Sequence, residues 1–393
     1  MDSRALKLSI IAVLLLLNVH HSDAQSSVRY TISGYVREEE SGETLIGVNI
    51  YLPDLLSGTV TNNYGFYSVT LPPADSVRLI FSYVGYASEK IIVNLKNNAE
   101  LNVNLRSNIL LDEVTVTADK TEKISESAKM SSIKLQPAQV KNIPSLLGEK
   151  DIMKVIQLMP GVQKGTEGTS GVYVRGGGPD QNLIILDDAI VYNATHLFGF
   201  FSLFNGDAIK SIEFTKGGFP ARFGGRLSSV LEMNMKEGNK EEWHGEGGIG
   251  LISSRFTIEG PLKKNKSSAL LSGRRTYADL FLRPILKALD ENNQGYYFYD
   301  FNAKVNYDFG RKNKLYLSGY FGKDKFYLKN RSEGYRETVG FLWGNATATL
   351  RWNHLFSSRI FSNASAVYSK YRFGISERYI VEDEGKDYYA EYN

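Results

Sequence analysis

From Trp243 onward apolar and polar residues alternate with a period of two, and this alternation limits the possible folds more than any other feature of the chain. In Phe301 to Phe309 the residues Phe301, Ala303, Val305, Tyr307 and Phe309 fall on one face, and Asn302, Lys304, Asn306 and Asp308 on the other. The pattern recurs in Gly344 to Trp352, with Gly344, Ala346, Ala348, Leu350 and Trp352 against Asn345, Thr347, Thr349 and Arg351. Side chains that alternate in this way belong to extended strands with one apolar and one polar face. Such strands build soluble sandwiches and membrane barrels alike, so the connections must separate the two. Lys263 to Lys266, Arg311 to Asn313 and Leu355 to Ser358 read as tight turns, whereas Thr276 to Gly295 and Lys323 to Arg336 read as long loops. Short turns at one end and long loops at the other are the habit of outer-membrane barrels. Between Tyr296 and Asn393 lie 14 of the 24 tyrosines, 9 of the 20 phenylalanines and 2 of the 3 tryptophans, a concentration suited to aromatic girdles at lipid interfaces. Residues 241–393 are therefore expected to form the first strands of an antiparallel transmembrane β-barrel.

The opposite end of the chain is an address. Arg4 and Lys7 precede the apolar run Ile10 to Leu17, and Ser22-Asp23-Ala24 places small residues at a cleavage site, so residues 1–24 read as a secretory signal peptide removed on export. The apolar run is too short to cross a bilayer as a helix, and no other run approaches the roughly 20 residues needed. Cysteine is absent, which excludes disulfides, thiolate metal sites and a cysteine nucleophile. After cleavage only His196, His244 and His354 remain, far apart in sequence.

Between these ends the texture changes twice. Residues 28–106 contain short β segments at Arg29 to Val36, Leu45 to Leu52, Gly65 to Leu71, Val77 to Val84, Lys90 to Leu95 and Leu101 to Leu105, a rhythm that predicts a small β-sandwich. Residues 107–129 form a polar linker with one apolar island, Leu111 to Ala118, which alternates from Val114 to Thr117. The island suits either β-augmentation of a partner's sheet edge or a last strand of the sandwich. In residues 130–238 glycine dominates. The spacing of Ile152, Val155, Ile156 and Met159 predicts a helix from Glu149 to Met159 ending at Pro160-Gly161. Strands are expected at Gly171 to Val174, Leu183 to Leu186, Ile209 to Thr215 and Ser228 to Met233, which gives a compact α+β unit.

Catalytic signals are lacking. Gly245, Gly247 and Gly250 satisfy a G-x-G-x-x-G pattern, but they sit in an alternating strand with no helix after them, where a dinucleotide site needs one. No His has Glu three residues later, as a zinc carboxypeptidase would need, and a net charge of +3 gives no basic stripe for nucleic acid. The chain is expected to be no enzyme, with no cofactor and no metal.

Two resemblances rest on particular residues. Gly34-Tyr35-Val36, Leu45 to Ile50, Thr59 to Asn62, Gly65-Phe66-Tyr67 and Tyr83 to Tyr86 resemble the carboxypeptidase regulatory-like domain, an immunoglobulin- or transthyretin-like sandwich. Ile156 to Val162, Val174-Arg175-Gly176-Gly177, Ile185 to Asp188 and above all Ile212 to Arg226 resemble the plug domain of a TonB-dependent outer-membrane receptor. That resemblance implies a function: energised uptake of a scarce ligand, such as an iron–siderophore complex, across the outer membrane of a Gram-negative bacterium, with TonB driven by ExbB and ExbD. It implies that Leu111 to Ala118 form the TonB box, with Asp112, Glu113, Val114, Thr115, Val116, Thr117 and Ala118 pairing with TonB through their backbone. It implies a plug motif in which Arg175, Glu213, Arg222 and Arg226 form ion pairs and Gly217, Gly218, Gly224 and Gly225 form tight turns, beside Gly176 and Asp187. The implied partners are TonB with ExbB/ExbD, outer-membrane lipid and an extracellular ligand. A barrel of this family takes about 22 strands, and the residues after Gly238 suffice for about eight, so a chain truncated within its barrel is expected. Alternatives are a SusC-like glycan or peptide importer, from which Asp119-Lys120-Thr121 after the box departs, and a secreted, non-catalytic β-rich structural or adhesion protein.

Overall fold

The computed structural model describes residues 28–108, 131–135, 151–165, 170–277, 279–280, 284, 293–332, 335–381 and 386–392. The island at 111–118, and with it Asp112 to Ala118, lies outside the described residues. The N-terminal unit contains β1 (Tyr30–Glu38), β2 (Asn49–Leu52), β3 (Ser57–Val60), β4 (Phe66–Leu71), β5 (Ala74–Ser82), β6 (Glu89–Leu95), β7 (Ala99–Glu100) and β8 (Val103–Leu105). One sheet joins β4, β1 and β7, with β8 also on β1, and the other runs β3-β2-β5-β6. Alternate residues point inward, so Ile32, Ile50, Leu52, Leu79 and Phe81 are wholly buried between the sheets. The strand expected from Leu45 starts only at Asn49, because Gly47 takes a φ of +75° and turns the chain first.

The second unit contains β9 (Ser132–Leu135), α1 (Ile152–Ile156), β10 (Val162–Lys164), β11 (Val172–Val174), β12 (Asn182–Leu186), β13 (Ala189–Ile190), β14 (Thr195–His196), β15 (Phe201–Ser202), β16 (Ile209–Thr215) and β17 (Ser229–Met235). Its central sheet runs β13-β12-β17-β16-β9, with β12 and β17 parallel and the other pairs antiparallel. The helix expected over Glu149 to Met159 is shorter than its periodicity suggested. Asp151 caps it, its Oδ1 accepting from the N–H groups of Met153 at 2.8 Å and Lys154 at 3.3 Å. Past Ile156 the hydrogen bonds tighten to a three-residue spacing, as in Met159 N–H to the Ile156 carbonyl at 3.0 Å, and α-helix gives way to turn.

The third unit is one antiparallel sheet whose order follows the chain: β18 (His244–Ile249), β19 (Ser253–Lys263), β20 (Ser267–Thr276), β21 (Asn293–Asp308), β22 (Asn313–Ser332), β23 (Tyr335–Ser357), β24 (Ile360–Val381) and β25 (Lys386–Tyr392). It is polar inside and apolar outside. Along β21, Asn302 (3%), Lys304 (3%) and Asn306 (1%) are buried, while Phe301 is 42% and Val305 39% exposed. Along β23, Asn345, Thr347, Thr349 and Arg351 are buried and Leu350 and Trp352 are exposed. A sheet folding in water would bury the opposite faces. This inversion marks the first strands of a transmembrane barrel. The long loop expected over Lys323 to Arg336 is instead strand, since β22 runs to Ser332 and β23 resumes at Tyr335. Polar residues there suggested a loop, but β22 and β23 have 20 and 23 residues, about twice the 9–11 that cross a bilayer, so the polar part continues the ladder beyond the apolar band.

The second unit sits against the polar face of this sheet, and the sandwich sits at its tight-turn end. Ser68 Oγ donates to the Ser358 carbonyl at 2.7 Å, Arg359 Nε donates to Thr31 Oγ1 at 2.9 Å, and Phe361 stacks on Tyr64 and Phe66 with centroids 5.5 and 5.3 Å apart.

Candidate functional site

The contacts between the second unit and the sheet form the site. β14 and β15 make a two-stranded turn that pushes His196 into the polar face of the sheet, where it is wholly buried. Its Nε2 lies 2.7 Å from Asp300 Oδ1 on β21 and its Nδ1 lies 2.6 Å from Asp324 Oδ2 on β22. The ring stacks on Phe298, centroids 4.0 Å apart and planes within 6°. Burial alone would lower the pKa of His196, but the two carboxylates and their hydrogen bonds more than offset it and hold the imidazole protonated above its ordinary range. Both ring nitrogens then donate. Arg274 Nε donates to Asp300 Oδ2 at 2.8 Å, Tyr320 donates to Asp300 Oδ1 at 2.7 Å, and the Tyr296 hydroxyl donates to Asp324. The Leu197 N–H completes the set, donating to Asp324 Oδ1 at 3.2 Å. Every charge in the cluster thus faces an opposite one, the condition for keeping ions out of water.

A second contact lies closer to the tight turns. Asp187 and Asp188 follow β12 at φ values of +47° and +71°, which turns both carboxylates toward the sheet. Asp187 Oδ2 lies 2.9 Å from Lys304 Nζ, while its Oδ1 accepts from Met235 N–H at 3.0 Å. Burial would raise the Asp187 pKa, yet Lys304 and Arg351 bring it below the usual carboxylate range. Asp188 Oδ2 accepts from Arg351 Nη2 at 2.9 Å and from Ser365 Oγ at 2.8 Å. Nearer the start of the sheet, Asp207 Oδ2 accepts from Arg255 Nε at 2.7 Å.

A third contact brings in the sandwich. Lys210 Nζ, on β16, stands 3.2 Å from Glu43 Oε1 and 3.3 Å from Glu237 Oε1, all three side chains nearly enclosed. Thr44 Oγ1 donates to the same Glu237 oxygen at 2.8 Å, and Glu237 N–H donates to Glu43 Oε1 at 2.6 Å. Burial raises the Glu43 carboxyl above its usual range. In Glu237 the same burial is outweighed by Lys210, Lys240 and other lysines, which hold it well below. Lys210 stays protonated above its ordinary range, because the two carboxylates outweigh its desolvation.

The residues singled out from sequence divide between these contacts and the unit's own turns. Asp187 reaches the sheet, as described. Arg222 Nη2 pairs with Glu232 Oε2 at 2.9 Å within the unit and lies over the Phe223 ring. Glu213 accepts from Ser132 Oγ at 2.9 Å, which ties β16 to β9. Arg175, at a φ of +49°, donates to Ser131 Oγ at 2.8 Å, and Arg226 donates to the Gly225 carbonyl at 2.9 Å. Gly176, Gly217, Gly218 and Gly225 have φ values of +86°, +77°, +63° and +79°, whereas Gly224 has none in the left-handed region and open space around it. His196, Asp300, Asp324, Lys210, Glu43 and Glu237 were not singled out. The available signal was the polar lane of the alternating strands: Asp300, Lys304 and Asp324 all stand on it, and a charge facing inward needs a partner. Among the described residues, no group of three or more His, Cys, Asp or Glu is placed to hold a metal ion.

An α+β unit is thus held by ion pairs against the polar face of an inverted β-sheet. Residues 32–116 match the CarboxypepD_reg-like domain and residues 136–229 the TonB-dependent Receptor Plug Domain. The chain carries a carboxypeptidase regulatory-like domain followed by a stretch that matches the plug domain of TonB-dependent receptors. It is similar to TonB-dependent receptor P26 of Formosa agariphila, 30% identical over 195 residues that make up 47% of this chain and 18% of that protein. It is also similar to TonB-dependent receptor P39 of the same organism, 29% identical over 246 residues, 59% of this chain and 22% of that one. The matched stretch thus spans less than a quarter of the length of either relative. Among solved structures, the siderophore receptor PirA from Acinetobacter baumannii aligns with 66% of this chain and 49% of its own at 17% identity and a TM-score of 0.38.

Proposed function

We propose that the chain belongs to an outer-membrane receptor for energised uptake of a scarce ligand, with an iron–siderophore complex as the ligand class to test first. The observation that carries this is the inverted sheet. Its buried Asn302, Lys304, Asp300, Asp324 and Arg351 face the plug, and its exposed Phe301, Leu350 and Trp352 face outward, an arrangement that suits lipid on one side and a wet lumen on the other. The plug holds that lumen through ionic contacts, which an applied pull can break one after another. A ligand arriving from the far end of the strands would meet Phe198, 60% exposed, whose ring contacts Trp343, Phe326 and Tyr296. Leu197, Phe198 and Gly199 all have positive φ, at 48°, 51° and 103°, a strained run of the kind that collects at ligand-binding positions.

In this mechanism Asp112 to Ala118 pair as an extended segment with TonB on the periplasmic side, ExbB and ExbD supply the proton-motive drive, and the signal peptide of residues 1–24 directs export. The test is Val116→Pro in the complete receptor, because proline removes a pairing N–H. Ligand binding to whole cells should be unchanged and energised uptake lost. Uptake at the original rate would remove the assignment of the box.

A further inference from the structure

The plug is joined to the large sheet by a short link, Lys236 to Trp243, which leaves β17 and enters β18. One side of this link lies on the wall. Ser268 Oγ and Asn306 Nδ2 donate to the Glu237 carbonyl at 2.9 and 2.7 Å, and Lys240 Nζ stands 3.1 Å from Asp308 Oδ2. Between these two contacts Gly238 turns the chain at a φ of +88°, and a Cβ there would stand 2.7 Å from the Ala269 carbonyl oxygen. Any side chain would be strained by that φ and would strike β20. Gly238 is thus the pivot between plug and wall.

The other side of the link is held by the sandwich, through Ser41 to Thr44 in the loop between β1 and β2. Lys240 N–H donates to the Ser41 carbonyl at 2.8 Å, Glu237 N–H donates to Glu43 Oε1 at 2.6 Å, and Thr44 Oγ1 donates to Glu237 Oε1 at 2.8 Å. Two amides that flank the pivot, both on buried residues, therefore take their acceptors from the sandwich. A buried N–H that loses its acceptor is costly, so rotation at Gly238 is opposed while the loop stays in place. The loop is also coupled to the next connection of the chain. β8 runs parallel to β1, with Val36 opposite Val103 and Glu38 opposite Leu105, and Glu39 N–H donates to the Leu105 carbonyl at 2.9 Å. Residues 107–129 follow β8 closely in sequence, so tension on them passes through β8 to the end of β1 and the loop beyond it.

We infer that the sandwich is a brace on this pivot: while Ser41 to Thr44 grip the link the plug is held in the wall, and drawing on residues 107–129 lifts the grip. For its trigger the inference rests on the reading of Asp112 to Ala118 as a TonB box, whereas the grip itself does not.

The chain has no cysteine, so a single pair can be introduced cleanly. A Cβ at Gly42 would stand 3.4 Å from the Lys240 Cβ, close to the separation of about 3.5–4.5 Å that a disulfide spans. Gly42→Cys/Lys240→Cys, in the full chain folded in detergent, is compared with itself, oxidised and reduced, by hydrogen–deuterium exchange and mass spectrometry. Both forms carry the same substitutions, so any strain at Gly42 is shared. Oxidation should slow exchange at least tenfold in peptides covering the link, β16 and β17, with β21 to β23 unchanged. Glu43→Ala/Thr44→Ala should accelerate the same peptides at least tenfold, and Glu43→Gln/Thr44→Ser, which keeps both contacts, should restore the original rate. Plug exchange that ignores the disulfide, or acceleration confined to the link, would overturn the brace. Should Glu43→Ala/Thr44→Ala also accelerate β21 to β23, that variant has lost its fold and the disulfide comparison decides. TonB takes no part in these measurements, so a failed brace leaves the box standing, and normal uptake by Val116→Pro would remove the box and its trigger but not the grip.

Discussion

His196 Nε2 lies 2.7 Å from Asp300 Oδ1 with both side chains wholly enclosed, so a plug residue and a wall residue share a proton that water cannot reach. Replacing His196 by Phe keeps the ring stacked on Phe298 but leaves Asp300 and Asp324 with one cation fewer. Breaking a buried pair in this way costs about 3–5 kcal/mol. Limited proteolysis of the folded chain in detergent should then cut the plug far faster than in the unaltered protein. Equal cutting would show that the cluster does not seat the plug.

The same cluster gives a pH dependence with a definite sign. The folded pKa of His196 is raised, so its contribution is full below the unfolded value of about 6.5 and is lost as pH rises through the folded value. Denaturant midpoints measured from neutral to alkaline pH should fall for the unaltered chain more than for His196→Gln. A gap between the two proteins that widens with pH would contradict the assignment.

Asp187 and Lys304 form a pair that can be removed together. Lys304→Met leaves the Asp187 carboxylate buried beside Met235 N–H and should cost about 3–5 kcal/mol, whereas Asp187→Asn/Lys304→Met removes both charges and should recover most of the loss. Unfolding in urea, followed on all four chains of the cycle, measures the coupling. Additive losses would mean that the 2.9 Å contact carries no pairing energy.

Gly218 separates backbone conformation from packing. Its φ is +63° and a Cβ there would meet nothing within 4 Å, so Gly218→Ala should cost only the left-handed penalty, about 1–2 kcal/mol, with no clash. Thermal unfolding of the variant measures it, and a loss of 4 kcal/mol or more would mean that the motif is packed more tightly than this.

The fold was legible wherever one period dominated. Period two marked the large sheet, and the limits of Ile209–Thr215 match those expected from its apolar Ile209, Ile212 and Phe214. What stayed hidden depended on which face would be buried. Asn302, Lys304 and Asn306 read as a polar lane, but only the structure shows that lane pressed against Asp187 and Met235. His196 is one of five histidines in the chain, and nothing local distinguished it. Its partners lie 104 and 128 residues away, on strands whose pairing the sequence does not encode nearby. The same holds for Glu43 and Glu237, brought together across 194 residues.

Those two carboxylates make the sharpest prediction, because they share Lys210 unequally. Burial pushes the Glu43 carboxyl up, whereas at Glu237 the same burial is outweighed by Lys210 and Lys240, which hold it well down. Glu43→Gln should therefore leave the sandwich in place, with a change within about 1 kcal/mol, since an amide can still accept from Lys210. Glu237→Gln removes the charge that compensates the lysine, and Lys210→Met leaves two carboxylates together. Either should cost about 3–5 kcal/mol and free the sandwich from the plug. Small-angle scattering of the folded chain in detergent reads the outcome directly, because a released sandwich lengthens the particle. A longer particle for Glu43→Gln than for Glu237→Gln would reverse the order and place the shared charge on the sandwich side of the contact.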